Sequence, residues 1–182
     1  MLLDIWRKAS LKRKRIYSII AVFILSVIIT LVGSFMPVDA EQARQINDEL
    51  NKTVTTATES GMLMQYILGN NFFICLIMFI PILGPIFGVY VLFSTGVAVS
   101  AVATAQGFPP IIAFIALVIT PVFWLEFVAY SIAMAMSVWL FRRILQGLGW
   151  HELRNTSIFI SICALLLVAG AAVEAVLIVF AT

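Results

Sequence analysis

Two carboxylic acids stand in this sequence with no other charge near them. Glu126 interrupts an apolar run from residue 111 to residue 141, and Glu174 falls in the last apolar run, residues 157 to 181. A carboxyl group near the centre of a hydrocarbon layer costs roughly 2.5 to 3.5 kcal/mol on insertion scales, so it is seldom there without a partner. Hydrocarbon disfavours the charged form, and the neutral acid donates through one oxygen while accepting through the other. Two chemistries fit such a group. One is a relay for a proton or a cation; the other is a hydrogen bond across helices to Ser, Thr, Asn or backbone groups. The structural role is the expected one for both acids, and Glu126, nearer the middle of its run, is the more anomalous of the two. Asn70 and Asn71, where apolar sequence resumes, complete the polar candidates inside the membrane.

Enzyme chemistry lacks its parts. His151 is the single histidine and sits in a polar stretch among Arg and Trp, so no second imidazole is present for a metal site and no nucleophile, base and orienter can be assembled. Cys75 and Cys163 fall in apolar runs and read as packing residues, and Trp6, Trp124, Trp139 and Trp150 as packing or interface aromatics. The expectation is no catalytic residue, no metal site and no cofactor.

The elements that position these acids follow from composition. Of the 182 residues 63% are hydrophobic and 11% charged, with a mean hydropathy of +1.11. Soluble domains are about 45 to 50% apolar and about 25% charged, so lipid must solvate most of this chain. The net charge of +2 is concentrated, because Arg7, Lys8, Lys12, Arg13, Lys14 and Arg15 precede the first apolar run. Basic residues against a hydrophobic span rest on anionic headgroups and mark the cytoplasmic side; a nucleic-acid partner is not expected.

Residues 16 to 36 form a first span of roughly the twenty residues that a crossing requires. It resembles a signal peptide ending at Val38-Asp39-Ala40, but its apolar core exceeds the ~7 to 15 residues of such signals, and it is expected to be retained. Residues 37 to 69 hold Asp39, Glu41, Asp48, Glu49 and Glu59 and must lie in water. Within them Ala43, Ile46, Leu50, Val54 and Ala57 recur at helical spacing, which predicts a surface helix. From residue 72 to residue 104 no charge occurs, too long for one crossing, with a turn expected near Pro81, Pro85 or Ser94-Thr95-Gly96. Gly84, Gly88, Gly96, Ser100 and Thr104 fall at multiples of four, a small-residue face for internal helix packing more than for a homo-oligomer seam. Gly107-Phe108-Pro109-Pro110 reads as a loop. Pro121 then predicts a kink or break, and the carbonyls it frees are possible acceptors for Glu126.

Residues 142 to 155 carry Arg142, Arg143, His151, Glu152 and Arg154 and read as a second cytoplasmic loop. An odd number of crossings must separate this loop from the external segment, and three fit the lengths. The fold class is therefore all-α, a polytopic bundle of about five transmembrane helices. A basic cytoplasmic N-terminus (residues 1 to 15) precedes one membrane domain (16 to 182) in the cell membrane, with the C-terminus outside.

Several of these landmarks line up with a family. Asn70-Asn71, then Gly84, Gly88 and Gly96, then Pro121 with Glu126 five residues later, then Glu174, make the chain resemble the stage II sporulation protein M family of integral membrane proteins. Val122 and Phe123 stand where that family has His-Gly, and Thr95-Gly96 where it usually has Asn-Gly. The resemblance implies about five helices and, by its sporulation member, a place in a peptidoglycan-remodelling machine; it implies a fold more than an activity. The expectation is a non-enzymatic structural or accessory subunit, its partners the lipid bilayer and other membrane protein subunits. The alternatives are a small transporter or channel component using Glu126, or the anchor of a membrane enzyme.

Overall fold

The computed structural model describes residues 9 to 181, apart from the side chains of His151 and Ala181, and every regular element among them is helical. The helices are α1 (Leu11–Ser34), α2 (Ala40–Glu59), α3 (Leu63–Met78), α4 (Leu83–Gln106), α5 (Pro110–Ile119), α6 (Pro121–Leu145) and α7 (Gly149–Ala181). Four are long and apolar enough to cross a membrane: α1, α4, α6 and the Glu152–Phe180 part of α7. The chain is thus an all-helical, multi-pass membrane protein. The 16 residues of α3 and 10 of α5 are apolar but shorter.

The centre of the bundle is α6. Apolar on all sides, it alternates small residues (Ala129, Ser131, Ala133, Ala135, Ser137) with large ones, and these are buried against α1, α3, α4 and α7. Three pairings fix the directions of its neighbours. Gly84 and Gly88 of α4 meet Ser137 and Met134, so α4 runs antiparallel to α6. Cys163 Sγ donates to Ala129 O (3.3 Å), and Gly170 lies beside Glu126, so α7 does the same. Between α1 and α4 the partners climb together, Thr30 with Leu92 and Met36 with Ser100, which makes this pair parallel.

The run from 111 to 141 breaks where its proline predicts. Thr120 is extended (φ −69°, ψ 139°), Pro121 opens α6 where its missing N–H is harmless, and Thr120 Oγ1 accepts from Phe123 N. Pro85, by contrast, causes no bend, because it falls in the first turn of α4, where backbone donors have no helical partner. The turn between α3 and α4 forms instead at Pro81. Leu83 N donates to Pro81 O (2.8 Å), a γ-turn centred on Ile82 at φ 68°. No residue in it is charged, and Ser137 Oγ donates to Ile80 O (2.6 Å). Ser137 precedes Arg143 by six residues, so the tip stands about 9 Å along α6 from that arginine.

A β-branched residue at positive φ is strained by about 1 to 3 kcal/mol. Ile82 is 55% exposed and contributes little packing. Ile82→Gly is therefore expected to raise the thermal unfolding midpoint in detergent, and a fall would show that the tip is not strained.

Both polar boundaries shift from the sequence reading. Lys12 to Arg15 belong to α1, not to a separate tail; residues 1 to 8, with Trp6, Arg7 and Lys8, lie outside the described part. Residues 142 to 155 are not an open loop, because α6 runs to Leu145 and α7 starts at Gly149. This brings Glu152, 3% exposed, against Arg15 Nη2 at 2.6 and 2.7 Å, with Arg143 Nε at 3.6 Å. One ion-pair cluster thereby ties α1, α6 and α7 at a single end of the bundle.

Candidate functional site

The surface stripe of α2 rests on the protein, with Ala43 and Ala57 buried. Beneath this helix lies a cavity of about 390 Å³, walled by α3, α4, α6 and α7. Its polar lining is Thr53 from α2, Tyr66, Asn70 and Asn71 from α3, Thr95 from α4, Glu126 and Tyr130 from α6 and Glu174 from α7. Each position has a local cause. The break at Thr120 starts α6 inside the bundle and turns Glu126, six residues on, towards α3. Tyr130 shares that face by the four-residue helical step and is 5% exposed. On α3, Ile67 and Leu63 pack with Ala171 of α7, which sets Asn71, one turn beyond Ile67, level with Glu126.

Asn71 Nδ2 donates to Glu126 Oε1, and Asn70 Nδ2 donates to Asn71 Oδ1 at 3.3 Å, a two-step relay from an exposed amide to a half-buried acid. The carbonyls freed by Pro121 do not serve Glu126. Leu117 O accepts from Thr120 Oγ1 (2.7 Å) and Val118 O from Trp124 Nε1 (3.0 Å). Glu174 reaches the same cavity, half-buried, from α7, one turn beyond Gly170, which lies beside Glu126. Two carboxyls sharing a site repel when both are charged.

All four polar candidates thus converge, whereas the packing candidates act elsewhere. Gly84 faces the backbone of Met78 and the hydroxyl of Ser137, Gly88 faces the side chain of Met134, and Gly96 faces the backbone of Thr30, Gly33 and Ser34, all within one chain. In the sequence Thr95 was read only as part of a possible turn and of the family pattern, and Tyr130 was not singled out; only the four-residue step from Glu126 could have drawn attention to Tyr130. Cys75 and Cys163 are free and buried. Among the described residues no three of His, Cys, Asp and Glu gather in one place.

A second, more open groove of about 700 Å³ between α2 and α3 is lined by Glu49, Lys52, Thr56, Ser60 and Gln65, and it shares Thr53 and Tyr66 with the cavity. The buried side chains of Phe123, Phe127 and Met134 belong to the core, and Phe127 also lines the cavity. No protein-family model, curated protein or solved structure matches the chain.

Proposed function

We propose that the protein is a small membrane transport component that takes a singly charged cation, or a proton exchanging with it, into the cavity under α2. The observation that carries this reading is the convergence of Glu126 and Glu174 on one cavity, which shares Thr53 and Tyr66 with a groove beside it. In the sequence, transport stood behind a structural or accessory subunit of a larger complex, for want of a water-lined space and further polar groups. Asn71, Thr95 and Tyr130 around the two acids supply those groups and shift the weight. The resemblance to the stage II sporulation protein M family implies an arrangement of helices and sits with either reading.

The chain makes five passes in this scheme: α1, α3, α4, α5 continued by α6, and α7. The positive-inside rule puts the ends carrying Lys12 to Arg15, Arg142 and Arg143 in the cytoplasm. It leaves α2, the mouth of the cavity and the C-terminus outside the cell membrane. Reconstituted in vesicles, the protein should pass sodium, potassium or protons faster than protein-free vesicles do. Glu126→Gln keeps shape and hydrogen bonding but not the charge, so it should return flux to the empty-vesicle level with thermal unfolding unchanged. Wild-type vesicles no leakier than empty ones for all three ions would return the reading to an accessory subunit.

A further inference from the structure

Among the described residues, the ion-pair end of the bundle holds more positive charge than Glu152 neutralises. Arg15 and Arg143 both approach Glu152, and the guanidinium groups of Arg15 and Arg142 stand over the ring of Trp139, 5.8 and 5.6 Å from its centroid. Glu152 engages only Nη2 of Arg15 among the described contacts, and Nε of that residue is buried with no acceptor. Beside Arg15 a groove of about 340 Å³ runs between α1 and α7. Its rim is Lys12, Arg15 and Asn155; its floor is Ile16, Ile19, Ile158 and Phe159. Ile16 and Ile158 are each 54% exposed, so the floor is open to whatever lies alongside the bundle.

A polar, cationic rim above an apolar floor, along two membrane-crossing helices, has the shape of one kind of ligand. We infer that this groove is a specific site for an anionic phospholipid, with the headgroup phosphate between Lys12, Arg15 and Asn155 and an acyl chain along Ile16, Ile19, Ile158 and Phe159. The charge left over at this end favours a lipid with net negative charge over a zwitterionic one, and the apolar floor favours a lipid over a free anion. A lipid seated there also bridges α1 and α7 next to the Arg15–Glu152 pair, so it stabilises the bundle. The site is separate from the cavity under α2 and stands or falls independently of the transport reading.

The test uses the full chain in mild detergent, with retained lipid counted by native mass spectrometry and unfolding followed by heat. Phosphatidylglycerol should be retained in preference to phosphatidylcholine of the same chains and should raise the unfolding midpoint, while inorganic phosphate should do neither. Removing one lysine charge should weaken retention about fivefold, so Lys12→Gln should lower it by that factor and Asn155→Ala should also reduce it. Lys52→Gln on α2, which removes the same charge elsewhere, should change nothing. Both rim substitutions concern residues with exposed or half-exposed side chains, so lipid-free unfolding should match the wild type. Equal retention of phosphatidylcholine, an equal effect of phosphate, unchanged retention in Lys12→Gln, or an equal loss in Lys52→Gln would each overturn the site.

Discussion

Replacing Glu152 with alanine is expected to destabilise the protein by about 3 to 5 kcal/mol, among the largest effects of any single substitution in the chain. The figure reflects what is left behind more than the pair itself. Glu152 is 3% exposed and meets Arg15 at 2.6 Å and Arg143 at 3.6 Å, so its loss leaves two guanidinium groups facing each other without an anion. Arg15 also sits near the start of α1, where the helix dipole is unfavourable to a cation, and the carboxylate offsets that too. Glu152→Gln retains an acceptor at the same place and should lose clearly less than alanine. Thermal unfolding in detergent gives the comparison directly. Equal midpoints for wild type and alanine variant would mean that the cluster does not hold the three helices together.

That cluster was hidden in the sequence for a physical reason. Arg142, Arg143, Glu152 and Arg154 read as a solvated loop because charges and glycines interrupt the apolar pattern, and periodicity does not tell a polar helical turn from a loop. What joined them was a partner more than a hundred positions away, Arg15, which no local pattern reveals. The break at Pro121 was legible because proline acts on its own backbone within four residues. The turn at Pro81 was one of three places allowed, and the structure chose it through packing, with Ser137 on Ile80 O and Gly84 against Met78. The same division holds for the cavity. Each polar residue in an apolar run was visible singly, as Asn71, Glu126 and Glu174 were, but the bond from Asn71 to Glu126 depends on how α3 enters beside α6. The extent of α3, which starts at Leu63 and not at residue 72, was missed because Gln65, Asn70 and Asn71 dilute its hydrophobicity.

The small-residue face of α4 makes a final, ordered expectation. Its glycines fall into two kinds according to what a side chain would strike. At Gly88 an added methyl group meets the flexible end of Met134, which can rotate away. At Gly96 it meets Thr30 O, with Gly33 Cα and Ser34 N each at 2.8 Å, all of them backbone of the parallel helix α1. Backbone cannot yield without moving the helix, and that movement would stretch Thr30 Oγ1 from Leu92 O (3.1 Å) and Ser100 Oγ from Met36 O (2.8 Å). Gly88→Ala should therefore cost about 1 kcal/mol or less, Gly96→Ala about 2 kcal/mol, and Gly96→Leu about 3 kcal/mol or more, enough to lower the yield of monodisperse protein. Because Thr95 and Leu92 line the cavity from the same stretch of α4, Gly96→Leu should also impair any flux that depends on Glu126. The order of the three unfolding midpoints decides the matter. A Gly88→Ala protein less stable than Gly96→Ala would show that α1 and α4 are not in backbone contact at Gly96.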